Sequence, residues 1–89
     1  VPVKYELAQN YPNPFNPITR IKYSVPKQSF VIIKIFDILG REVKTLVNEI
    51  RTAGSYEVDF NASYLASGVY FYRMESGDFT DVKKLVLLK

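Results

Sequence analysis

The chain is short, apolar and mildly basic: it has 89 residues, 47% of them hydrophobic and 15% aromatic, with a formal net charge of +3. This size predicts one domain over residues 1–89, and the composition excludes an intrinsically disordered chain. The sequence has no Cys and no His, which excludes a disulfide framework, a thiolate metal site and the most common general base.

The first predicted elements are a short strand and a proline-rich segment. Residues 3–8 form the strand, and 11–17 contain three prolines. Proline fixes its own φ, lacks an N–H and pushes the preceding residue towards extended conformations. We therefore expect a stiff, extended crossing that the buried rings of Tyr11 and Phe15 attach to the core. It is either a rigid connection or a preformed recognition surface.

Six further strands follow, because the hydrophobic period is two rather than 3.6. They are predicted at 20–25, 30–37, 41–47, 55–60, 68–75 and 79–88, and 48–53 is a longer connection and the only helix candidate. The expected inward residues are Ile21, Tyr23, Val25, Val31, Ile33, Ile35, Tyr56, Val58, Phe60, Tyr70, Tyr72 and Met74.

Turn chemistry supports the same assignment. Asp37 and Gly40 suit the ends of a type I turn followed by a residue at positive φ, and Ser76-Gly77-Asp78 suits a tight hairpin. Tyr70 follows a small residue at the start of a late strand, as in a tyrosine corner. The sequence predicts an all-β fold, an immunoglobulin-like antiparallel sandwich of about seven strands with Greek-key connections.

No residues form a catalytic or cofactor-binding pattern. The carboxylates fall in turns or at outward strand positions, without a pair on one inward face. Asp78 and Asp81 are better explained by a turn than by Ca²⁺, and the Asn61-Ala62-Ser63 sequon by a loop. Scattered Lys and Arg predict a solvated face rather than a nucleic-acid site, and no apolar run is long enough for a membrane span. We expect no enzyme, no metal and no cofactor.

Four sequence blocks occur in order along the chain. They are YPNPFNPIT at 11–19, IFDILGREV at 35–43, LASGVYFYRM at 65–74 and KKLVLLK at 83–89. Together they resemble the type A C-terminal sorting domain of the type IX (Por) secretion system, over residues 7–89.

The resemblance implies a non-catalytic secretion signal of Bacteroidota and related phyla. An upstream cargo domain is taken through the periplasm to the outer-membrane translocon, then attached at the cell surface or released. A sortase-like peptidase cleaves before Val1 or within the first few residues. The start at Val1-Pro2 suggests a piece of a longer protein, with any export signal upstream. We expect a monomer.

The resemblance also implies residues for translocon recognition. These are Pro12, Asn13, Pro14, Gly40, Gly68, Tyr70, Lys83, Lys84, Leu85, Val86, Leu87, Leu88 and Lys89. Gly40 and Gly68 are better explained as backbone requirements. The last strand is expected to be an edge with unpaired backbone groups, open to strand addition and kept from self-pairing by its lysines.

Two other functions are compatible with the sequence. One is an immunoglobulin-like accessory module of a secreted enzyme, binding carbohydrate or acting as a spacer, with a structural assembly role as a variant. The other is an enzyme. A native polypeptide that ends at Lys89 would favour the sorting signal over an accessory module. A further domain after Lys89 would count against the sorting signal.

Overall fold

The computed structural model describes residues 2–89, which form two antiparallel sheets. The predicted start of the domain at Val1 lies outside this part of the chain. The strands are β1 (Glu6–Leu7), β2 (Ile18–Val25), β3 (Ser29–Phe36), β4 (Glu42–Arg51), β5 (Gly54–Asn61), β6 (Gly68–Ser76) and β7 (Phe79–Leu87).

The strands are arranged as β1-β2-β5 in a three-stranded sheet and β4-β3-β6-β7 in a four-stranded sheet. The chain crosses between the sheets after β2, β4 and β5, so that β2 pairs with β5 and β3 with β6. The prediction of an all-β, immunoglobulin-like sandwich is confirmed.

The core lies between the sheets and follows the alternation of the sequence. Successive side chains of a strand point to opposite faces, so every second residue enters the core. The predicted inward residues of β2, β3 and β6 are all buried, whereas Tyr56 and Val58 of β5 are only partly buried. The difference follows from position, because β5 lies at the edge of its sheet.

Two predicted boundaries are wrong. β4 continues to Arg51, and its residues 48–51 pair with 29–32 of β3, so 48–53 is neither a long connection nor a helix. Pairing with β3 satisfies the backbone of this stretch, although the exposed Asn48, Glu49 and Ile50 hide its strand period. The first strand is only Glu6–Leu7 rather than 3–8.

The predicted turns are present. The N–H of Gly40 donates to the carbonyl of Asp37 at 3.0 Å, and Gly40 has a φ of 82°. The Asp37 carboxylate accepts the backbone N–H groups of Leu39 and Arg41, each at 2.9 Å. These bonds, that from Arg41 foremost, lower the pKa of Asp37.

The proline segment (residues 11–17) is not an extended crossing. It bends between its ends, since Tyr11 pairs with Arg20 of β2 and Phe15 with Leu87 of β7, which belong to different sheets. The bonds before its three prolines are cis. Phe15 is buried as predicted, but Tyr11 is 81% exposed. Tyr11 lies opposite Arg20, and opposite residues share a face, so the Tyr11 ring points outward on the same side as the Arg20 side chain.

Candidate recognition surface

Two buried polar side chains hold the proline segment in place. Asn10 and Thr19 are 2% and 1% exposed. The Asn10 amide donates to the Thr19 hydroxyl at 3.0 Å and to the Pro12 carbonyl at 3.2 Å. The Thr19 hydroxyl donates to the same carbonyl at 2.8 Å. The backbone at Pro12 is therefore fixed from inside, while Pro12, Asn13 and Pro14 remain exposed.

The same segment is fastened to the edge of β7. The N–H of Phe15 donates to the Val86 carbonyl, and the N–H of Leu88 to the Phe15 carbonyl, both at 3.0 Å. The Asn13 side-chain oxygen accepts the N–H of Val86 at 3.0 Å. The Phe15 ring lies on Phe60 with centroids 6.2 Å apart. The proline segment and the end of β7 thus form one continuous surface.

The last block of the sequence divides into core and surface. Leu85 and Leu87 are completely buried, whereas Lys84, Leu88 and Lys89 are exposed. Lys83 and Val86 are partly buried. We therefore assign Leu85 and Leu87 to the core and consider only the others as contacts.

The expected free edge at the end of β7 is wrong for residues 84–88. Val86 and Leu88 are bonded to Asn13 and Phe15, and the Gln9 amide donates to the Lys84 carbonyl at 2.6 Å. The local pattern of β7 gives no sign of this cover, because its donors and acceptors come from residues some 70 positions earlier.

Lys89 is also bound to the fold. Its N–H donates to the Ser67 hydroxyl at 3.0 Å, and its ammonium group donates to the Ser63 carbonyl at 2.6 Å. The residue therefore lies against the loop at 62–67 instead of extending freely from β7.

Beside the proline segment lies an open groove on the outer face of the three-stranded sheet. It has a volume of about 560 Å³, and Tyr11, Pro12, Ile18 and Arg20 line part of it. Tyr11 is 81% and Ile18 49% exposed. The groove extends the surface of the proline segment with apolar area next to a guanidinium group.

Gly40, Gly68 and Tyr70 have other positions. Gly68 and Tyr70 pair with Leu87 and Leu85 of β7. The Tyr70 hydroxyl donates to the Ala66 carbonyl at 2.7 Å, which confirms the predicted tyrosine corner. Gly40 lies in the turn after β3, on the other side of β6 from β7. These three residues have backbone or core contacts and do not join the proline segment.

Comparison with known families agrees with this geometry. The model of the family described as a secretion system C-terminal sorting domain matches residues 9–88. The chain belongs to this family. The match runs from Gln9 through the proline segment to Leu88, and it identifies a sorting signal of type IX secretion rather than a catalytic domain. No curated protein matches the chain.

Sequence analysis missed several residues that build the surface of this sorting domain. Asn10 and Thr19 hold the proline segment, Gln9 binds the edge of β7 at Lys84, and Ser63 and Ser67 bind Lys89. Only Thr19 had a usable signal, because the alternation of β2 places this polar residue on the buried face. A polar residue at a buried position needs a hydrogen-bond partner, and that partner is the proline segment.

Neither a cluster of metal-binding side chains nor a membrane-spanning helix occurs in the described part of the sorting domain. Residues 2–89 contain no group of three or more acidic, His or Cys side chains placed to hold a metal ion. Over the same residues, no helix has the length and apolar character of a membrane span.

Proposed function

We propose that this sorting domain directs an upstream cargo through the periplasm to the outer-membrane translocon of type IX secretion. The translocon recognises the surface that the proline segment forms with the end of β7. A sortase-like peptidase then cleaves upstream of the domain, and the cargo is attached at the cell surface or released.

One observation carries the location of the recognised surface. Asn13 and Phe15 are hydrogen-bonded to Val86 and Leu88, so two blocks at opposite ends of the sequence form one surface. A partner that contacts this surface recognises a folded arrangement, because neither block alone contains it. Membership of the sorting family supports a role for this surface in export.

Burial separates contact residues from folding residues in this proposal. Pro12, Asn13, Pro14, Lys84 and Leu88 are exposed and form the contact set together with Lys89. Lys83 and Val86 are at its margin. Five other residues maintain the fold and do not contact the translocon directly: Leu85, Leu87, Gly40, Gly68 and Tyr70.

The test uses residues 1–89 fused behind a periplasmic export signal and a reporter, in a host with the secretion system. The test variant is Lys84→Glu with Leu88→Asp, which changes an exposed lysine and a half-exposed aliphatic residue on the proposed surface. We expect the fraction of reporter outside the cell to fall about tenfold, as for loss of a central binding contact.

The matched control is Lys44→Glu with Ile50→Asp on β4. It makes the same chemical changes at an exposed lysine and at an aliphatic residue that is 58% exposed, on the opposite edge of the four-stranded sheet. Urea unfolding should place each variant close to the parent in stability. Equal export of test and control variants would refute recognition through this surface.

A further inference from the structure

The sorting domain has four edge strands within residues 2–89, and three of them are protected. An edge strand presents unpaired backbone groups on which another chain can add a strand. β1 is only two residues long, and β4 has two register shifts, opposite Ile33/Lys34 and Ile35/Phe36. Residues 9–15 cover β7 at residues 84–88. Nearer the start of β7, the charged side chains of Asp81 and Lys83 lie on the inner face of the sheet, with the ammonium nitrogen 3.7 Å from the carboxylate oxygen. Short strands, bulges, covering segments and inward charges all oppose strand addition.

β5 has none of these structural protections. It pairs with β2 over eight residues in continuous register and contains no proline. Arg20 of β2 exchanges two backbone hydrogen bonds with Tyr11, so its N–H and C=O point away from β5. Its partner Asp59 is therefore in a non-hydrogen-bonded pair, and the N–H and C=O of Asp59 point away from β2. The period of two extends this orientation to Glu57 and Ser55.

The inner face of β5 also has apolar surface left to cover. Tyr56 and Val58 are partly buried, whereas their partners Tyr23 and Ile21 on the central strand β2 are buried. A strand added beside β5 would extend the three-stranded sheet and place its own apolar residues over this margin of the core.

The charges of β5 determine which kind of strand can be added favourably. Glu57 and Asp59 lie on the outer face with side chains 50% and 60% exposed, and both contact Arg20, at 3.5 and 3.0 Å. If a second copy paired through β5, acidic residues would face acidic residues, and like charges directly opposite are destabilising. A strand with Lys or Arg at these positions meets opposite charges instead.

We propose that the open edge of β5 binds an extended segment of another polypeptide by strand addition, and that this segment alternates basic with apolar residues. The basic residues lie opposite Glu57 and Asp59, and the apolar residues lie against Tyr56 and Val58. The proposal goes beyond the sorting role, and it places the strand-accepting edge on β5 rather than on β7.

The experiment is an NMR titration of the isotope-labelled chain with a short synthetic peptide in which Lys and Val alternate. The amide signals of Ser55, Glu57 and Asp59 should shift, and binding should weaken as salt is raised. The same peptide with alternate backbone N-methyl groups, or with Glu in place of Lys, should not bind. These peptide controls require no change in the protein.

A pair of charge-matched variants locates the site. Glu57→Lys with Asp59→Lys should weaken binding about tenfold, since two exposed attractions become repulsions. Glu42→Lys with Glu49→Lys makes the same change in net charge on β4 and should leave the affinity unchanged. The proposal is overturned if the Lys-Val peptide does not bind, if the shifts lie on β4 or β7, or if both variants weaken binding equally. None of these outcomes affects the export test above.

Discussion

The hydroxyl of Tyr72 connects the two halves of the sandwich. Tyr72 lies on β6, inside the four-stranded sheet, and is completely buried. Its hydroxyl donates to the carbonyl of Ala8, the residue after β1, at 2.6 Å. Burial, with a smaller contribution from the Asp81 carboxylate, raises the pKa of Tyr72 to about 12. The folded state therefore holds a proton that an unfolded tyrosine releases near pH 10.

This difference predicts an alkaline loss of stability. The contribution of the protonated Tyr72 is full below about pH 10, and it is lost as the pH rises from there towards about 12, because only the unfolded state ionises in that range. Tyr72→Phe should cost about 1 kcal/mol at neutral pH through the lost hydrogen bond, and it should show a smaller decline above about pH 10. Urea unfolding of both proteins between neutral and alkaline pH measures this. The same alkaline slope in both proteins would contradict the assignment.

At the scale of elements, the proline segment depends on β2 as much as on its own prolines. Thr19 lies on the buried face of β2, and its hydroxyl, with the Asn10 amide, binds the Pro12 carbonyl. Beyond this point Asn13 and Phe15 bind β7. The proline segment that covers the end of β7 is therefore directly connected to the buried polar contact between Asn10, Thr19 and Pro12 at the three-stranded sheet.

Thr19→Val is predicted to loosen that cover. It leaves the Asn10 amide and the Pro12 carbonyl with one partner fewer, which should lower the free energy of unfolding by about 1–3 kcal/mol. Hydrogen exchange at the amides of Val86 and Leu88 should become faster. Thr80→Val changes an exposed threonine on β7 and should leave stability within about 0.5 kcal/mol. Unchanged exchange at Val86 and Leu88 in Thr19→Val would show that the buried contact does not control the cover.

Alternation explains which elements were predictable. Ile21, Tyr23 and Val25 alternate with polar residues, so the position and inward face of β2 followed from the sequence. The second half of β4 lacks this alternation because Asn48, Glu49 and Ile50 are all exposed, and it was missed. Tyr11 was assigned to the core on its aromatic character, but its pairing with Arg20 turns it to the solvent.

At the scale of the molecule, Tyr5 and Lys89 lie at opposite ends of β7. Tyr5 stacks on Phe79 beside the last hairpin, with ring centroids 5.3 Å apart, and from there residues 5–15 follow β7 to its other end. The longest dimension of the domain is 37 Å. Tyr5 therefore lies near the hairpin of Gly77, away from the proline segment and Lys89.

Removal of residues 85–89 should unfold the domain rather than only remove a contact. Leu85 and Leu87 are completely buried, and loss of a core leucine side chain costs about 2–5 kcal/mol, against a total stability of about 5–15 kcal/mol for a small domain. We expect no cooperative thermal transition by circular dichroism. Removal of Lys89 alone deletes an exposed residue and should retain the transition. A folded 85–89 deletion would show that the core does not need the end of β7.

The sequence by itself determined the fold class, most strands, the turn at Gly40 and the tyrosine corner, because alternation and turn chemistry act over a few residues. It also carried the blocks by which the family is recognised. Only the tertiary structure decided that the proline segment covers the end of β7, that Leu85 and Leu87 are core and that β5 has the open edge. Those features depend on hydrogen bonds and burial between residues far apart in the chain, which no local pattern encodes.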